Sequence, residues 1–420
     1  MHATLLDLSR ATVAAAGTGE LGSVQQATAQ VWSKLATLPA RNDETAGRKA
    51  TDIAFNLALA GVTDEPLLTT LYERAEAEVR RPSRRKPTGL ALAQMAERAA
   101  ASGCRSPAGL YEAILERLDG TAFAGTREAL SSGTLTLHSP LAARWIRRQH
   151  HHHSISAAGR RPFAHAPNSL GSTSGALDGL FDDPSLELTV DIGCGFGLGP
   201  LGISLHQPAV NVLGVDANKR ALCFASGIAM RWGVAGRCAF LCDDAATILR
   251  SVRCGEYGGR LASRLVLSCP TPYAIDVGGT TFPRASAETL DYIAAPHVFD
   301  EAVAALQPGG TLHLAANVED VAIRLYEDAV ARGLEPVLDA EANSVVGAPS
   351  SVDGTALAVA NGDAPPRRRA AWRASGGARA EGPQWTAGQR ILQCARSETE
   401  LACLADGQDV YRVVLRKPVA

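Results

Sequence analysis

The chain has 420 residues, 46% of them hydrophobic and 20% charged, with a mean hydropathy of zero; this is enough apolar side chain to bury full cores and to exclude wholesale disorder. At about 150 residues per domain the length predicts two or three domains, and no uncharged apolar run approaches the roughly 20 residues that span a bilayer, which excludes a membrane protein. The net charge of −2 conceals a basic first part: residues 1–170 hold 20 basic and 15 acidic side chains, the remainder 21 and 28, as expected of a basic arm or domain joined to an acidic-to-neutral catalytic domain.

Helical spacing dominates from about Val24 to Leu118. Ile53, Leu57 and Ala60 share one helical face, and Leu67, Leu71 and Arg74 another. A helix, a turn at Gly61, Pro66 and a second helix through Leu71–Arg74 are echoed about 40 residues later by Gly103, Pro107 and Leu110–Glu112. That form suits an α-solenoid hairpin or an ordinary helical bundle, so 1–149 is expected to be a helical, repeat-like domain. The basic run Arg80–Lys86 is either a phosphate contact or a solvated loop. Residues 150–185, with their histidine run, read as a linker and not as a metal site, because no carboxylate or cysteine follows at ligand spacing.

From 186 to 420 short apolar runs alternate with helical stretches: Leu188–Ile192, Val210–Val215, Cys238–Cys242, Arg264–Ser268 and Thr311–Ala315, with Val410–Leu415 closing the series. Such alternation predicts an α/β domain with a mostly parallel sheet covered by helices. Pro308-Gly309-Gly310 reads as a turn into a late strand, and 340–388, rich in Gly, Ala, Pro and Arg, as a disordered insertion. The nine cysteines form no CxxC pair and their number is odd, so free thiols in a reducing compartment are expected. The N-terminus, with Asp7 and Glu20, makes a poor secretory signal; cytoplasm, nucleus, plastid and mitochondrion all stay open.

Chemistry concentrates at Val190-Asp191-Ile192-Gly193-Cys194-Gly195-Phe196-Gly197, directly after a buried strand. Glycines there let the backbone turn tightly and approach a ligand, with their N–H groups expected to point into the site. Asp216 ends the next strand, where an acid takes a ribose diol; Asp243 and Asp244 end the third, where a carboxylate accepts an exocyclic adenine amine. Two cofactors suit such an edge. The segment from Gly197 to Gly202 spells the GxGxxG of a dinucleotide site, but it begins five residues beyond Ile192, inside the loop.

The glycines at the strand end, with Asp191 ahead of them, resemble motif I of class I S-adenosylmethionine-dependent methyltransferases. Leu267-Ser268-Cys269-Pro270-Thr271-Pro272-Tyr273 then resembles the Pro-Asp-Pro-Trp motif of the tRNA (guanine-N7)-methyltransferases. In order after it, Ala295–Glu301, Leu306–Gly310, Leu312–Asn317 with Tyr326, and Ser397-Glu398-Thr399-Glu400 with Val410-Tyr411-Arg412 look like that family's later motifs. The resemblance spans about 186–338 and 389–417. It implies a Rossmann-like seven-stranded methyltransferase sheet, S-adenosylmethionine held by Asp191, Gly193, Gly195, Gly197, Asp216, Asp243, Asp244 and Ser268, and tRNA as partner. Pro270, Thr271, Asn317, Ser397 and Glu400 would touch the substrate, with Thr271, Tyr273 and Glu400 nearest the reacting base.

Departures stand beside these matches. Thr271 and Asn317 replace family acids, and Ala274-Ile275-Asp276-Val277-Gly278-Gly279 replaces a basic run. A guanine N7 has an in-plane lone pair and no proton to lose, so alignment rather than a general base would supply the rate. Thr271 accepts a weaker hydrogen bond from a guanine edge than a carboxylate does; Tyr273 is either a stacking platform or a core aromatic. The same departures leave open a methyltransferase of another acceptor, or a weakly active, RNA-associated subunit that binds the cofactor.

Overall fold

A computed structural model describes residues 4–18, 21–38, 48–81, 87–104, 107–118, 123–147, 177–270, 274–277, 280–283, 293–338, 380–385, 396–405 and 409–419. These fall into two units. Positions up to 147 together with Lys219–Gly233 form the first, and the remaining described residues form the second.

The first unit is helical: α1 (Leu5–Thr18), α2 (Leu21–Thr37), α3 (Arg48–Leu59), α4 (Glu65–Arg80), α5 (Gly89–Ala101), α6 (Ala108–Leu115) and α7 (Ala124–Ser131), followed by a helical stretch at 140–147. Two hairpins, α3–α4 and α5–α6, repeat one local plan. Each first helix ends at a left-handed glycine, Gly61 (φ 75°) or Gly103 (φ 66°), a conformation that carries no Cβ penalty there. Asp64 caps α4 by accepting the Leu67 N–H at 3.0 Å, with Pro66 in the first turn. Ile53, Leu57, Ala60, Leu67 and Leu71 are buried, as their spacing predicts. Arg80 is paired with Glu76 and Glu116, and Arg81 with Glu78, so the described start of the basic run faces acids. Its remainder, 82–86, lies outside the described residues.

The second unit opens upstream of the expected boundary at 186. A short 3-10 turn, Leu177–Leu180, brings Leu177 and Phe181 into the sheet's core. In chain order follow β1 (Glu187–Ile192), α8 (Leu198–His206), β2 (Val210–Val215), α9 (Lys219–Arg231, a member of the first unit), β3 (Cys238–Leu241), α10 (Ala245–Arg253) and β4 (Ala262–Ser268). Then come the hairpin β5 (Ala274–Val277) and β6 (Thr280–Pro283), α11 (Pro296–Ala305), β7 (Leu306–Ala316), α12 (Glu319–Val330), β8 (Glu335–Pro336), α13 (Glu398–Ala405) and β9 (Tyr411–Arg416).

Seven strands form one sheet in the order β3-β2-β1-β4-β7-β9-β8. Pairing is parallel from β3 to β7; β9 runs antiparallel to both neighbours. Side chains alternate between two cores because the strand period is two. Leu265, Leu267, Val413 and Leu415 meet α10, α11 and α12 on one face, while Val266, Val414 and Ala315 meet Ile203 of α8 and Cys403 of α13 on the other. Burial on both faces explains why β1 reads as a nearly continuous buried run.

Three features differ from the sequence-based expectation. Pro308-Gly309-Gly310 is no turn: β7 runs through it, Gly309 (φ 76°) donates to Lys417 O and Lys417 donates back to Gly310 O, both at 2.9 Å. The pairing register with β4 shifts between Ala262 and Arg264, as a bulge requires. The hairpin β5–β6 occupies the stretch where the resembled family has its basic run. Within 340–388, residues 380–385 form a turn in which Trp385 lies 5.5 Å from Tyr326 and Ala380 N–H donates to Glu319; the rest of that stretch lies outside the described residues. Every cysteine among the described residues is a free thiol, and no described helix is long and apolar enough to cross a membrane.

Candidate functional site

Strand order reverses between β1 and β4, so the crevice beyond their carboxyl ends is the topological switch point at which open α/β sheets bind ligands. The loop from β1 to α8 fills this edge. Gly193, Gly195 and Gly197 take φ values of 73°, 55° and 72°, a left-handed alternation that side chains resist at about 1–2 kcal/mol per residue.

The expectation that the loop's N–H groups face a ligand is corrected by their bonding. Gly193 and Cys194 both donate to Val215 O (2.8 and 3.0 Å), and Gly197 to Cys194 O (2.9 Å). Gly195 donates to Asp216 Oδ2 at 2.9 Å, and Phe196 to Glu398 Oε1 at 3.4 Å. The loop therefore presents carboxylates rather than bare amides. Asp216, held by the N–H groups of Gly195 and Asn218 (2.7 Å), stands at the end of β2.

Asp191, the penultimate residue of β1, is only 4% exposed. Its Oδ2 lies 2.7 Å from where a Cβ on Gly199 would sit, against the first turn of α8. It forms no hydrogen bond or ion pair among the described residues. Burial holds its carboxyl well above the usual carboxylate range, and Glu398, Glu400 and Asp216 push it further in the same direction. Burial likewise raises the neighbouring Cys194 thiol, with Asp216, Asp191 and Glu398 adding to the effect. Burial among further carboxylates disfavours the charged form of Asp191.

The other expected residues separate into groups. Asp243 is half-buried beyond β3, its Oδ1 accepting the Asp244 N–H at 2.7 Å. Asp244 caps α10 through the Thr247 N–H and hydroxyl (2.9 and 3.0 Å). Ser268 ends β4 half-buried; Cys269, at φ 50°, donates to Ala315 O, and Pro270 behind it is buried. Asn317 follows β7, half-buried, at the same edge. Thr271 and Tyr273 lie outside the described residues.

Ser397 and Glu400 serve the fold. Ser397 N–H donates to Glu400 Oε2 (3.1 Å) and Glu400 N–H to Ser397 Oγ (3.2 Å), a reciprocal capping box at the start of α13. Glu400 Oε1 accepts from buried Arg412 at 2.9 Å. The Ser-x-x-Glu spacing is the sequence signature of such a box. Glu398 is the side chain that sequence reasoning missed. It lies inside the Ser397–Glu400 stretch, but its reach to the glycine loop, 202 residues away, is a matter of tertiary packing that nothing in the stretch announces.

No protein-family model matches the chain, and no curated protein matches it. Among solved structures, the [4+2]-cyclase SpnF aligns at 16% identity over 56% of this chain and 76% of its own, with a TM-score of 0.30. The 16S rRNA methyltransferase KamB aligns at 12% identity over 57% and 90%, with a TM-score of 0.30. The N-methyltransferase NodS from Bradyrhizobium japonicum WM9 aligns at 12% identity over 65% and 97%, with a TM-score of 0.29. Values this low bear on neither substrate nor cofactor. Strand order and the one antiparallel partner in the sheet define the class directly: an α/β, Rossmann-like seven-stranded methyltransferase sheet, with an all-helical region ahead of it in the chain.

Proposed function

We propose that the chain is an S-adenosylmethionine-dependent methyltransferase with its cofactor across the β1–β4 switch point. The observation behind this reading is Asp191, a buried carboxyl with no hydrogen bond or ion pair among the described residues, beside a loop whose amides are already bonded. A pyrophosphate needs free amides at a helix start, and here a carboxylate occupies that place, which argues against the dinucleotide alternative. A sulfonium nucleoside suits the donor set. In this reading Asp216 would take the ribose diol and Asp243 the adenine amine, with Asp191 beside the cationic arm. When bound, the cofactor supplies an electrophilic methyl: the sulfur–carbon bond breaks, its electron pair stays on sulfur, and the acceptor's lone pair forms the new bond. The protein's share is to orient, to exclude water and to balance charge.

For the acceptor we propose guanine N7 in tRNA, on the strength of the ordered sequence motifs. Thr271, Tyr273, Pro270, Asn317 and Ser268 would border the base. Glu400 is engaged by Arg412 and Ser397, and with Thr271 in place of an acid this favours, as the second reading, an acceptor other than tRNA guanine. Calorimetric titration with S-adenosylmethionine and with a nicotinamide dinucleotide tests the class. Binding of the first, abolished by Asp216→Ala and by Asp191→Asn, is expected; binding of the second instead overturns it. Aniline cleavage of tRNA from cells with and without the gene tests the acceptor, and identical patterns reject it.

A further inference from the structure

We propose that the helical unit clamps α9, the helix that follows the ribose acid, and that Arg231 is a positioning residue acting through α9 on Asp216. This rests on the cofactor reading above and gives the helical unit a part in holding the cofactor.

The chain leaves the second unit after Asn218, runs through α9 within the first, and returns at Val234. Both helical hairpins of the first unit receive α9 at their turns. At Gly61, after α3, a Cβ would collide with Cys223 O, and a Cβ on Gly227 would stand 2.7 Å from the Gly61 backbone. At Gly103, after α5, a Cβ would stand 2.9 Å from Ile228 Cδ1, and Trp232 Nε1 donates to Gly103 O at 2.8 Å. Cys223, Gly227 and Arg231 recur every fourth residue, so one face of α9 runs across both turns.

Arg231 joins the two turns. Its side chain is 1% exposed, pairs with Glu65 at 3.3 Å, and donates to Val62 O (2.9 Å) and Ser102 O (2.6 Å). These carbonyls stand at the C-terminal ends of α3 and α5, where the helix dipole favours a cation. The rigid guanidinium fork bonds both at once.

The constraint reaches the site through the backbone. Asp216 Oδ1 accepts the Asn218 N–H at 2.7 Å, and Oδ2 the Gly195 N–H at 2.9 Å. Helix α9 begins at Lys219, the next residue. The seating of α9 therefore fixes the Asn218 amide, and that amide holds the carboxylate for the ribose hydroxyls. Undocking α9 frees both, so docking and cofactor binding favour each other to the same degree.

The test uses the full chain, S-adenosylhomocysteine and its 2′-deoxy analogue. Hydrogen exchange of wild-type protein is followed with and without S-adenosylhomocysteine at about 100 times its Kd, where linkage caps the slowing at about a hundredfold. The Val62 and Gly103 amides, which donate to Leu57 O and Ala100 O, should exchange about fivefold or more slowly with ligand. Unchanged exchange there overturns the proposal. Wild-type protein should also prefer S-adenosylhomocysteine over the deoxy analogue by about tenfold or more, as a hydroxyl on a carboxylate requires, and equal affinities overturn the role of Asp216 and the clamp with it. Gly227→Ala favours the helix itself while blocking its seat on Gly61, so affinity for S-adenosylhomocysteine should fall about fivefold or more and the ribose preference shrink to about twofold or less. Arg231→Met should do the same. Loss of affinity with the ribose preference intact, or no loss, overturns the positioning role. If neither variant folds, the wild-type exchange decides. Failure of wild-type protein to bind S-adenosylhomocysteine defeats the cofactor reading itself.

Discussion

Replacing Gly195 by alanine probes the closest approach in the site. The residue holds φ 55°, where a side chain costs about 1–2 kcal/mol. The new Cβ would drive into Glu398 Oε1, and the carboxylate, buried at 6% exposure, must swing away. That movement breaks the hydrogen bond from the Phe196 N–H to the Glu398 carboxylate, and a bond of this kind contributes about 1–3 kcal/mol. Together the variant should lose about 2–5 kcal/mol of unfolding free energy, read from urea titration with unchanged m-value. A double-mutant cycle separates the two contributions. In a Glu398→Ala background the methyl meets no carboxylate, so only the conformational cost remains, and the two changes should couple by about 1–3 kcal/mol. Additivity within about 0.5 kcal/mol would refute the contact between Glu398 and the glycine loop.

Asp191→Asn tests the buried acid through pH. The native carboxyl titrates well above the usual carboxylate range, so its contribution to stability is full below the pKa of an unfolded aspartate, about 3.9, and is lost as pH rises through the native pKa. Ligand-free Asp191→Asn should therefore gain on wild type as pH increases, while losing the cofactor; urea midpoints that keep a constant difference across pH contradict this. In the helical unit, Arg231 of α9 is buried, donates to Val62 O (2.9 Å) and Ser102 O (2.6 Å), and pairs with Glu65 at 3.3 Å. Arg231→Met should cost about 3–5 kcal/mol and speed amide exchange at the ends of α3 and α5. Unaltered exchange there would rule out the clamp. Arg412→Met should cost about 3–5 kcal/mol by stranding Glu400, with partial recovery in Arg412→Met/Glu400→Gln, and a double variant no more stable than the single would argue against the pair.

Much of the fold is local and therefore legible in the chain. Strands β1, β2 and β4 announce themselves as buried apolar runs, Gly61 and Gly103 mark helix ends, and Asp191, the loop glycines and Asp216 fall at strand ends where the alternation of elements puts them. Pro308-Gly309-Gly310 was legible only as punctuation. Whether it bends into a turn or a bulge depends on Lys417, more than a hundred residues later. The burial of helix α9 among its neighbours is of the same kind. Gly227 has no side chain because the backbone of Gly61 lies where a Cβ would be, 2.7 Å away.

In the site the division is sharper. Strand ends and glycine spacing identify which backbone can approach a ligand, since these follow from short-range sterics. They do not say what the amides bond to, because those acceptors, Val215 O, Asp216 and Glu398, arrive through strand pairing and the packing of α13. Nor do they distinguish Glu400 from Glu398, two residues apart at the start of one helix. The sequence alone determined that an acid would sit there. Only the tertiary structure decided that Arg412 neutralises one and the glycine loop receives the other, because the partner of a buried charge is chosen by burial and long-range packing rather than by neighbours in the chain.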